Sequence, residues 1–264
     1  MKNKDKFSIE NKIILVVGGS GQIGENLINF LITKKTKIIN FDLIDSLKNL
    51  KTKKNYFFYK VDLKNHESIK KNLANIKNKF KKIDILINLA HYKGDRKLKP
   101  FHSFFSEFHN YPDDLWKKNI DINLTSTFII TKEVLKIMLK NKKGTILNFS
   151  STYGLVSPNY NIYGNSGINS PIGYTTTKSA IINFTKYIAT HYGKKNIRAN
   201  CISPGGIKNK NQSKKFINEY TKLTPLGRLA NPDEFNESVL FLISDASSYM
   251  TGSNLIIDGG WTSW

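Results

Sequence analysis

The sequence predicts an α/β fold: a doubly wound parallel sheet of about seven strands with helices on both faces. Three observations lead there. Short runs of Ile, Val and Leu recur along the chain, and most are followed by a stretch of helical period. The apolar runs are nearly continuous rather than alternating, as expected of strands covered on both sides. With 264 residues, 39% of them hydrophobic, the chain can bury one sizeable core.

The elements follow in order. Ile13–Val17 reads as a strand and 22–33 as a helix. Residues 37–41 and Tyr56–Lys60 are strands, and His66–Phe80 is a Lys/Asn-rich helix. Residues 83–87 form a strand, 113–140 are largely helix, and 145–149 are a strand. Ile172–Tyr192 reads as a helix and 197–202 as a strand. Residues 231–244 are a helix opened by Asn-Pro, and 255–257 are the last strand. Two long connections, 91–116 and 152–171, resist this scheme. The first carries Tyr92, Phe101, Phe104, Phe105, Phe108, Tyr111 and Trp116. Connections of that length in a small fold are commonly binding loops. The whole chain, 1–264, reads as a single domain.

Composition excludes several classes. Charged residues are 23% and aromatics 12%, which argues against global disorder. No apolar run approaches the ~20 residues of a membrane helix. The N-terminal apolar run, 13–17, is too short for a signal peptide. Cys201 is the one cysteine, so no internal disulfide and no cysteine-based zinc site is expected. The five histidines show no metal-ligand spacing, and no metal is expected. A cytoplasmic protein is the expectation. The net charge of +21 comes from 38 lysines and three arginines, Arg96, Arg198 and Arg228. Phosphate readers favour the bidentate Arg, and these lysines are scattered, so a nucleic-acid partner is not expected. Lys, Asn, Ile, Tyr and Phe share AT-rich codons, and a skewed genome accounts for the charge.

Residues 14–24 read ILVVGGSGQIG, a strand entering glycines and then a helix. A tight turn of that kind lets backbone N–H groups and a helix N-terminus approach a pyrophosphate, where a Cβ would collide. Asp42 ends the next strand, 24 residues beyond Gly18, near the spacing of a ribose-binding acid. A carboxylate there accepts from a ribose 2′-OH and repels a 2′-phosphate. NAD(H) is favoured and NADP(H) remains possible, because Lys48, Lys51, Lys53 and Lys54 follow closely.

A Y-x-x-x-K motif occurs twice, at Tyr56–Lys60 and Tyr174–Lys178, where chance alone predicts about 1.7 matches. Context separates them. On a strand, positions four apart are about 13 Å apart. On a helix they share a face. The second pair therefore allows an ammonium to stabilise a phenolate and lower the Tyr174 pKa, as a general base needs.

These residues and their surroundings resemble the short-chain dehydrogenase/reductase family, over residues 11–261. The glycines, G-x-x-G-x-x-G at Gly18, Gly21 and Gly24, look like its longer, epimerase-like branch; the rest looks like the compact, Rossmann-type branch. Ser151 with Gly154 three residues on resembles the family serine, and Asn123 in IDINLTSTF the helix asparagine. Asn88 and Ala90 in INLAH resemble the N-N-A-G segment, and Asp62-Leu63 the adenine-contacting pair. Ser203-Pro204-Gly205-Gly206 resembles the turn at the nicotinamide. The resemblance implies Asn123, Ser151, Tyr174 and Lys178 as the catalytic set. It implies Gly18, Gly21, Gln22, Ile23, Gly24, Asp42, Asp62, Leu63, Asn88, Ala90, Tyr174, Lys178, Pro204, Gly205 and Ile207 at the cofactor. Tyr174 would move the hydroxyl proton, Ser151 would bond the substrate oxygen, and Asn123 would anchor a water that relays protons to Lys178.

Departures are visible. Leu89 and His91 replace the second Asn and the Gly of N-N-A-G, no Thr follows the Pro-Gly turn at the usual place, and Ser151 to Tyr174 exceeds the usual spacing. SSTYG, the long IYGNSG insertion, SPGGI and DGGWT resemble a narrower group, the flagellin-modification or surface-sugar oxidoreductases of nonulosonate pathways. The implied function is hydride transfer between nicotinamide and a secondary alcohol or ketone of a sugar or nucleotide-activated sugar. Phe101, Phe105, Tyr153, Tyr160 and Tyr163, with Arg96, His102, Asn159, Asn161, Asn165 and Ser166, are the loop residues expected to meet it. Arg96 or a nearby Lys would hold a phosphate. The alternatives are a 3-oxoacyl-carrier-protein reductase and a catalytically inactive nucleotide-binding regulator. The resemblance also implies a homodimer or homotetramer, paired through helices at 113–140 and 172–192.

Overall fold

A computed structural model of the chain describes residues 5–94 and 104–264. Alternate side chains of each central strand enter two different cores. In β1 (Ile13–Val17), Ile13, Leu15 and Val17 face one cluster, and Ile14 and Val16 face the other. This is the period-two alternation of a strand with apolar residues at every position. Helices α2 (His66–Phe80), α4 (Ser126–Lys140) and α5 (Ile172–Tyr192) cover the first face. Ile69, Leu73, Ile76, Ile130, Val134 and Met138 fill it. On the second face, α1 (Gln22–Ile32) brings Leu27, Ile28 and Leu31, and α7 (Asn236–Ile243) brings Val239, Leu240, Leu242 and Ile243. Each fully buried aliphatic side chain contributes roughly 1.5–3 kcal/mol. Truncating a central one such as Leu15, which is wholly buried, would cost about 2–5 kcal/mol.

The remaining strands are β2 (Lys37–Asp42), β3 (Tyr56–Lys60), β4 (Ile85–Asn88), β5 (Gly144–Phe149), β6 (Ile197–Pro204) and β7 (Asn254–Ile257). The sheet is parallel throughout, in the order β3-β2-β1-β4-β5-β6-β7. The chain winds outward from β1 to β3, then returns to the other side of β1. The reversal between β1 and β4 leaves a crevice beyond the carboxyl ends of these strands, the usual ligand position of an open α/β sheet. Among the described residues, no helix is long and apolar enough to cross a membrane.

Two elements differ from expectation. The helix expected over 113–140 is split into α3 (Asp113–Ile120) and α4 by one wide π turn, Asp121–Thr125, centred on Asn123. The expected helix 231–244 begins as a 3₁₀ turn, Pro232–Phe235, because Asn231 and Glu234 form a capping box there. A further helix, α6 (Lys214–Lys222), has no counterpart in the sequence reading. Its lysines hid a short apolar stripe, Phe216, Ile217 and Tyr220, behind the cap that Ser213 gives to the Phe216 N–H.

Candidate active site

A cleft of about 660 Å³ lies at the crevice, lined from the ends of β1, β2, β4, β5 and β6. Its floor begins at Gly18, whose φ is +85° and whose added Cβ would stand 2.6 Å from the Ala90 backbone. Only glycine lets the two loops meet there. Gly21, Gln22, Ile23 and Gly24 continue the wall into α1. Gln22 also donates from its side-chain amide to the Lys208 carbonyl, tying the glycine turn to the loop after β6.

At the outer end, the Asp42 carboxylate accepts from the Ser20 N–H at 2.9 Å and the Leu43 N–H at 2.7 Å. These bonds fix it at the rim. Asp62 and Leu63 line the same end, with Lys64 3.9 Å from Asp62. None of Lys48, Lys51, Lys53 and Lys54 lines the cleft, and Lys51 instead stands 3.8 Å from Asp45. Asp42 is thus the carboxylate at this end that has no lysine paired with it among the described residues.

Two expected residues lie elsewhere. Asn88 does not reach the cleft. Its amide donates to Asn148 Oδ1 at 2.8 Å and to Thr131 Oγ1 at 3.3 Å. Asn148 passes the chain on to Thr185 at 2.9 Å. β5 lies directly beside β4, so the amide nitrogen is paired within the sheet layer, while the buried Oδ1 has no hydrogen-bond partner among the described residues. Asn123 does not line the cleft either. Its Oδ1 accepts from the Tyr92 N–H, and its Nδ2 donates to the Tyr92 carbonyl at 3.0 Å and Thr177 at 3.2 Å. Its amide ties the 91–93 strip to α5.

Ser151, Tyr174 and Lys178 do converge on the cleft. The short turn Thr152–Gly154 presses on α5; a Cβ on Gly154 would lie 2.8 Å from the Lys178 backbone. Ser151 lines the cleft with the Tyr174 phenol and accepts the Tyr153 N–H at 3.2 Å. Lys178 Nζ donates to the Phe149 carbonyl at 2.6 Å and lies 5.8 Å from the centroid of the Tyr174 ring. Burial raises the Tyr174 pKa, and Ser151 opposes the rise. Burial also pulls the Lys178 ammonium down to about 8. In the chain by itself, desolvation of the phenol is the largest influence on Tyr174. The other Tyr-Lys pair is structural. Tyr56 donates to Asp45 and accepts from Asn40 beneath the sheet edge, and burial raises its pKa strongly.

The inner end is walled by aromatics from distant segments. Tyr153, Tyr163, Phe216 and Tyr220 line it. Trp261 backs them, stacked on Tyr220 at 5.7 Å and edge-on to Tyr153 at 5.8 Å. Tyr220 accepts the Gly206 N–H at 2.7 Å, bracing the Pro204–Ile207 turn that lines the cleft beside it. Of the loop residues expected to meet substrate, Tyr153 and Tyr163 do line the cleft. Tyr160 is 58% exposed, and Phe105, Asn159, Asn161, Asn165 and Ser166 line no part of it. Arg96, Phe101 and His102 lie outside the described residues.

His91 and Lys93 were not singled out as catalytic or binding residues, yet both line the cleft. The His91 ring lies edge-on to Tyr174 at 5.6 Å, and burial with Lys178 and Lys93 nearby pulls its pKa down to about 3. Lys93 Nζ sits over the Tyr174 ring at 4.7 Å and near Tyr153 at 5.8 Å. Its side chain is exposed to the cleft, and desolvation at the cleft wall lowers it to about 8. Among 38 lysines, nothing local in the sequence marks this one.

A family model described as enoyl-(acyl carrier protein) reductase matches residues 38–262. An NAD-dependent glycerol dehydrogenase of Listeria innocua is 29% identical, covering 99% of this chain and 98% of the relative. A 3-oxoacyl-[acyl-carrier-protein] reductase of Buchnera aphidicola is 32% identical over 96% of this chain and 98% of the relative. The post-translational flagellin modification protein A of Campylobacter coli is 27% identical over 96% and 99%. A crystal structure of a short chain dehydrogenase from Leptospira borgpetersenii with bound NAD+ superposes with a TM-score of 0.88 at 36% identity, covering 99% of this chain and 97% of that one.

Proposed function

This chain belongs to the short-chain dehydrogenase/reductase family and is an NAD(P)-dependent oxidoreductase, and we propose that it moves a hydride between nicotinamide and a secondary alcohol or ketone of a sugar or nucleotide-activated sugar. The observation that carries the reading is the convergence of Ser151, Tyr174 and Lys178 on one cleft, against an aromatic wall. We read the whole chain, 1–264, as one dinucleotide-binding oxidoreductase domain.

The residues fit a dinucleotide. The glycine turn from Gly18 to Gly24 lines the cleft and leads into the N-terminus of α1. Gly18, Gly21, Gln22, Ile23 and Gly24 would hold the pyrophosphate, Asp42 the adenosine ribose, and Asp62 and Leu63 the adenine. Ala90, Pro204, Gly205 and Ile207 would flank the nicotinamide half. Bound nicotinamide supplies or accepts the hydride. Asp42 beside Asp62, with no arginine among the described lining residues, supports NAD(H) over NADP(H).

Tyr174 moves the proton. In the reducing direction its phenol gives a proton to the carbonyl oxygen as the carbon gains hydride; in the oxidising direction it takes the hydroxyl proton. Ser151 bonds the same substrate oxygen and stabilises the charge that develops there. Lys178 places a cation near the phenol. Asn123 acts through others: it holds Tyr92, and with it the strip carrying His91 and Lys93.

The aromatic wall suits a sugar ring, whose C–H faces pack on aromatic rings while its hydroxyls find polar tips. A carrier-protein reductase shares this chemistry, and the net charge of +21 would suit an acidic carrier. Tyr153, Tyr163 and Phe216 crowd the path that an extended acyl thread would need. Exposed Phe128 and Tyr187 on α4 and α5 support pairing of copies through those helices; sedimentation at micromolar concentration tests it, and a monomer would refute it. The function itself is tested by following reduced nicotinamide at 340 nm with NAD+ or NADP+ and a panel of sugars and nucleotide sugars. Turnover confined to acyl thioesters would overturn the sugar reading.

A further inference from the structure

Charge is divided along the cleft. Its carboxylates, among the described residues, are Asp42 and Asp62, both at the ends of β2 and β3. The opposite end holds Lys93, Lys118 and Lys178 with no carboxylate among the described lining residues. Lys178 already donates to Phe149, and Lys118 lies over the Tyr92 ring at 4.7 Å. Lys93 differs from both. It stands over Tyr174 itself, and its ammonium makes ring contacts but no ion pair among the described residues. Cation–π contact replaces only part of the water or counter-ion such a group gives up. Lys93 is an exposed residue lining the cleft, so its ammonium is open to an anion that enters there.

We propose that Lys93 is the anion-recognition residue of the substrate end, and that the substrate carries a carboxylate or phosphate within a few bonds of the carbon that is oxidised or reduced. This rests on the sugar oxidoreductase reading above and narrows it to an acidic sugar. The placement follows from the ring contact. An ammonium over the Tyr174 ring lies beside the hydroxyl that handles the substrate proton, so one small molecule can reach both. A carboxylate or phosphate oxygen accepts charge-assisted hydrogen bonds from the ammonium. The hydroxyl one or two carbons away then falls to Tyr174 and Ser151. Tyr153 and Tyr163 hold the chain of the sugar from the side.

The test uses three six-carbon polyols that differ only at one terminus: glucitol, gluconate and glucitol 6-phosphate. A fourth probe, 3-hydroxybutyrate, is acidic but no sugar. Binding of each to the NADH-loaded enzyme is measured by calorimetry, and oxidation with NAD+ by absorbance, for the native chain, Lys93→Met and Lys93→Arg. The expected result is that gluconate or glucitol 6-phosphate binds at least tenfold more tightly than glucitol. That preference is lost in Lys93→Met and largely kept in Lys93→Arg, with NADH affinity the same in all three. Which of the two acids wins tells carboxylate from phosphate. Equal binding of glucitol and both acids, no binding by any acid, or an unchanged preference in Lys93→Met would each overturn the proposal. So would loss of NADH affinity in Lys93→Met, which would make Lys93 a cofactor contact. Lys93-dependent binding of 3-hydroxybutyrate alone would uphold Lys93 and overturn the sugar reading; best binding and turnover of glucitol would do the reverse.

Discussion

Lys178 Nζ donates to the carbonyl of Phe149 at 2.6 Å, while the centroid of the Tyr174 ring, one helical turn away, lies 5.8 Å off. The ammonium is held by the end of β5 and not by the phenol. Its placement is set by the strand, and Tyr174 is left to Ser151. The two side chains share a helix face as i and i+4 positions do, but the sheet decides where the charge sits.

The two Tyr-x-x-x-Lys pairs are expected to behave in opposite ways. Tyr174→Phe should lower kcat by ~10²–10⁴-fold with little change in melting temperature. Tyr56→Phe should leave kcat nearly unchanged and lower stability by about 1–3 kcal/mol. It strips the partner from Asp45 and from the Asn40 amide in a buried setting. Steady-state kinetics and thermal melts of both variants check this, and equal loss of turnover would refute the assignment.

Asp42→Ala should shift cofactor preference toward NADP(H), measured as the ratio of kcat/KM for the two cofactors. It removes the acceptor for a ribose hydroxyl and a charge that repels a 2′-phosphate. It also frees the Ser20 N–H, so a modest rise in KM for both cofactors should accompany the shift. A native enzyme that works better with NADPH would contradict the role given to Asp42.

The pH dependence has a definite sign. Lys93 and Lys178 each sit at about 8, both lowered chiefly by desolvation. His91, at about 3, is neutral throughout the working range, and burial raises both Tyr174 and Tyr153. The ammoniums are charged below 8 and lose their charge as pH rises through 8. KM for an acidic substrate should therefore climb above pH ~8, approaching tenfold per pH unit. In Lys93→Met that rise in KM should flatten, while any dependence of kcat that belongs to Lys178 persists. A KM profile identical in the native chain and the variant would argue against the assignment.

Tyr163 and Tyr160 lie three residues apart in one loop and are expected to differ sharply. Tyr163 lines the cleft and touches the Tyr153 hydroxyl at 3.5 Å, whereas Tyr160 is 58% exposed. Tyr163→Ala should raise substrate KM roughly tenfold, the scale of a lost aromatic wall and hydroxyl, with NADH affinity intact. Tyr160→Ala should change neither. Replacing 157–168 by a short turn is a harsher test, because Ile162 is 1% exposed and its loss would open the aromatic cluster around Tyr220 and Trp261. Native KM values in Tyr163→Ala would reduce the loop to architecture.

The strands and helices were legible because hydrophobic period is local. Ile13–Val17 and Ile172–Tyr192 could be bounded to the residue from side-chain pattern and from the glycines and prolines beside them. Tyr174 could be told from Tyr56 for the same reason, since helix and strand place an i+4 lysine differently. Asn123 and Asn88 were named from local likeness, but where a buried amide finds its partner depends on the neighbouring element. Asn88 turned to Asn148 because β5 came to lie beside β4, and Asn123 turned to Tyr92 because that loop crosses the π turn. Only the folded chain brings Tyr153, Tyr163, Phe216, Tyr220 and Trp261 into one wall, and only there does Lys93 part company with the other lysines. Periodicity says which face of an element is apolar. Which distant faces meet, and which lysine comes to stand beside Tyr174, is settled by the packing of the whole sheet and its helices.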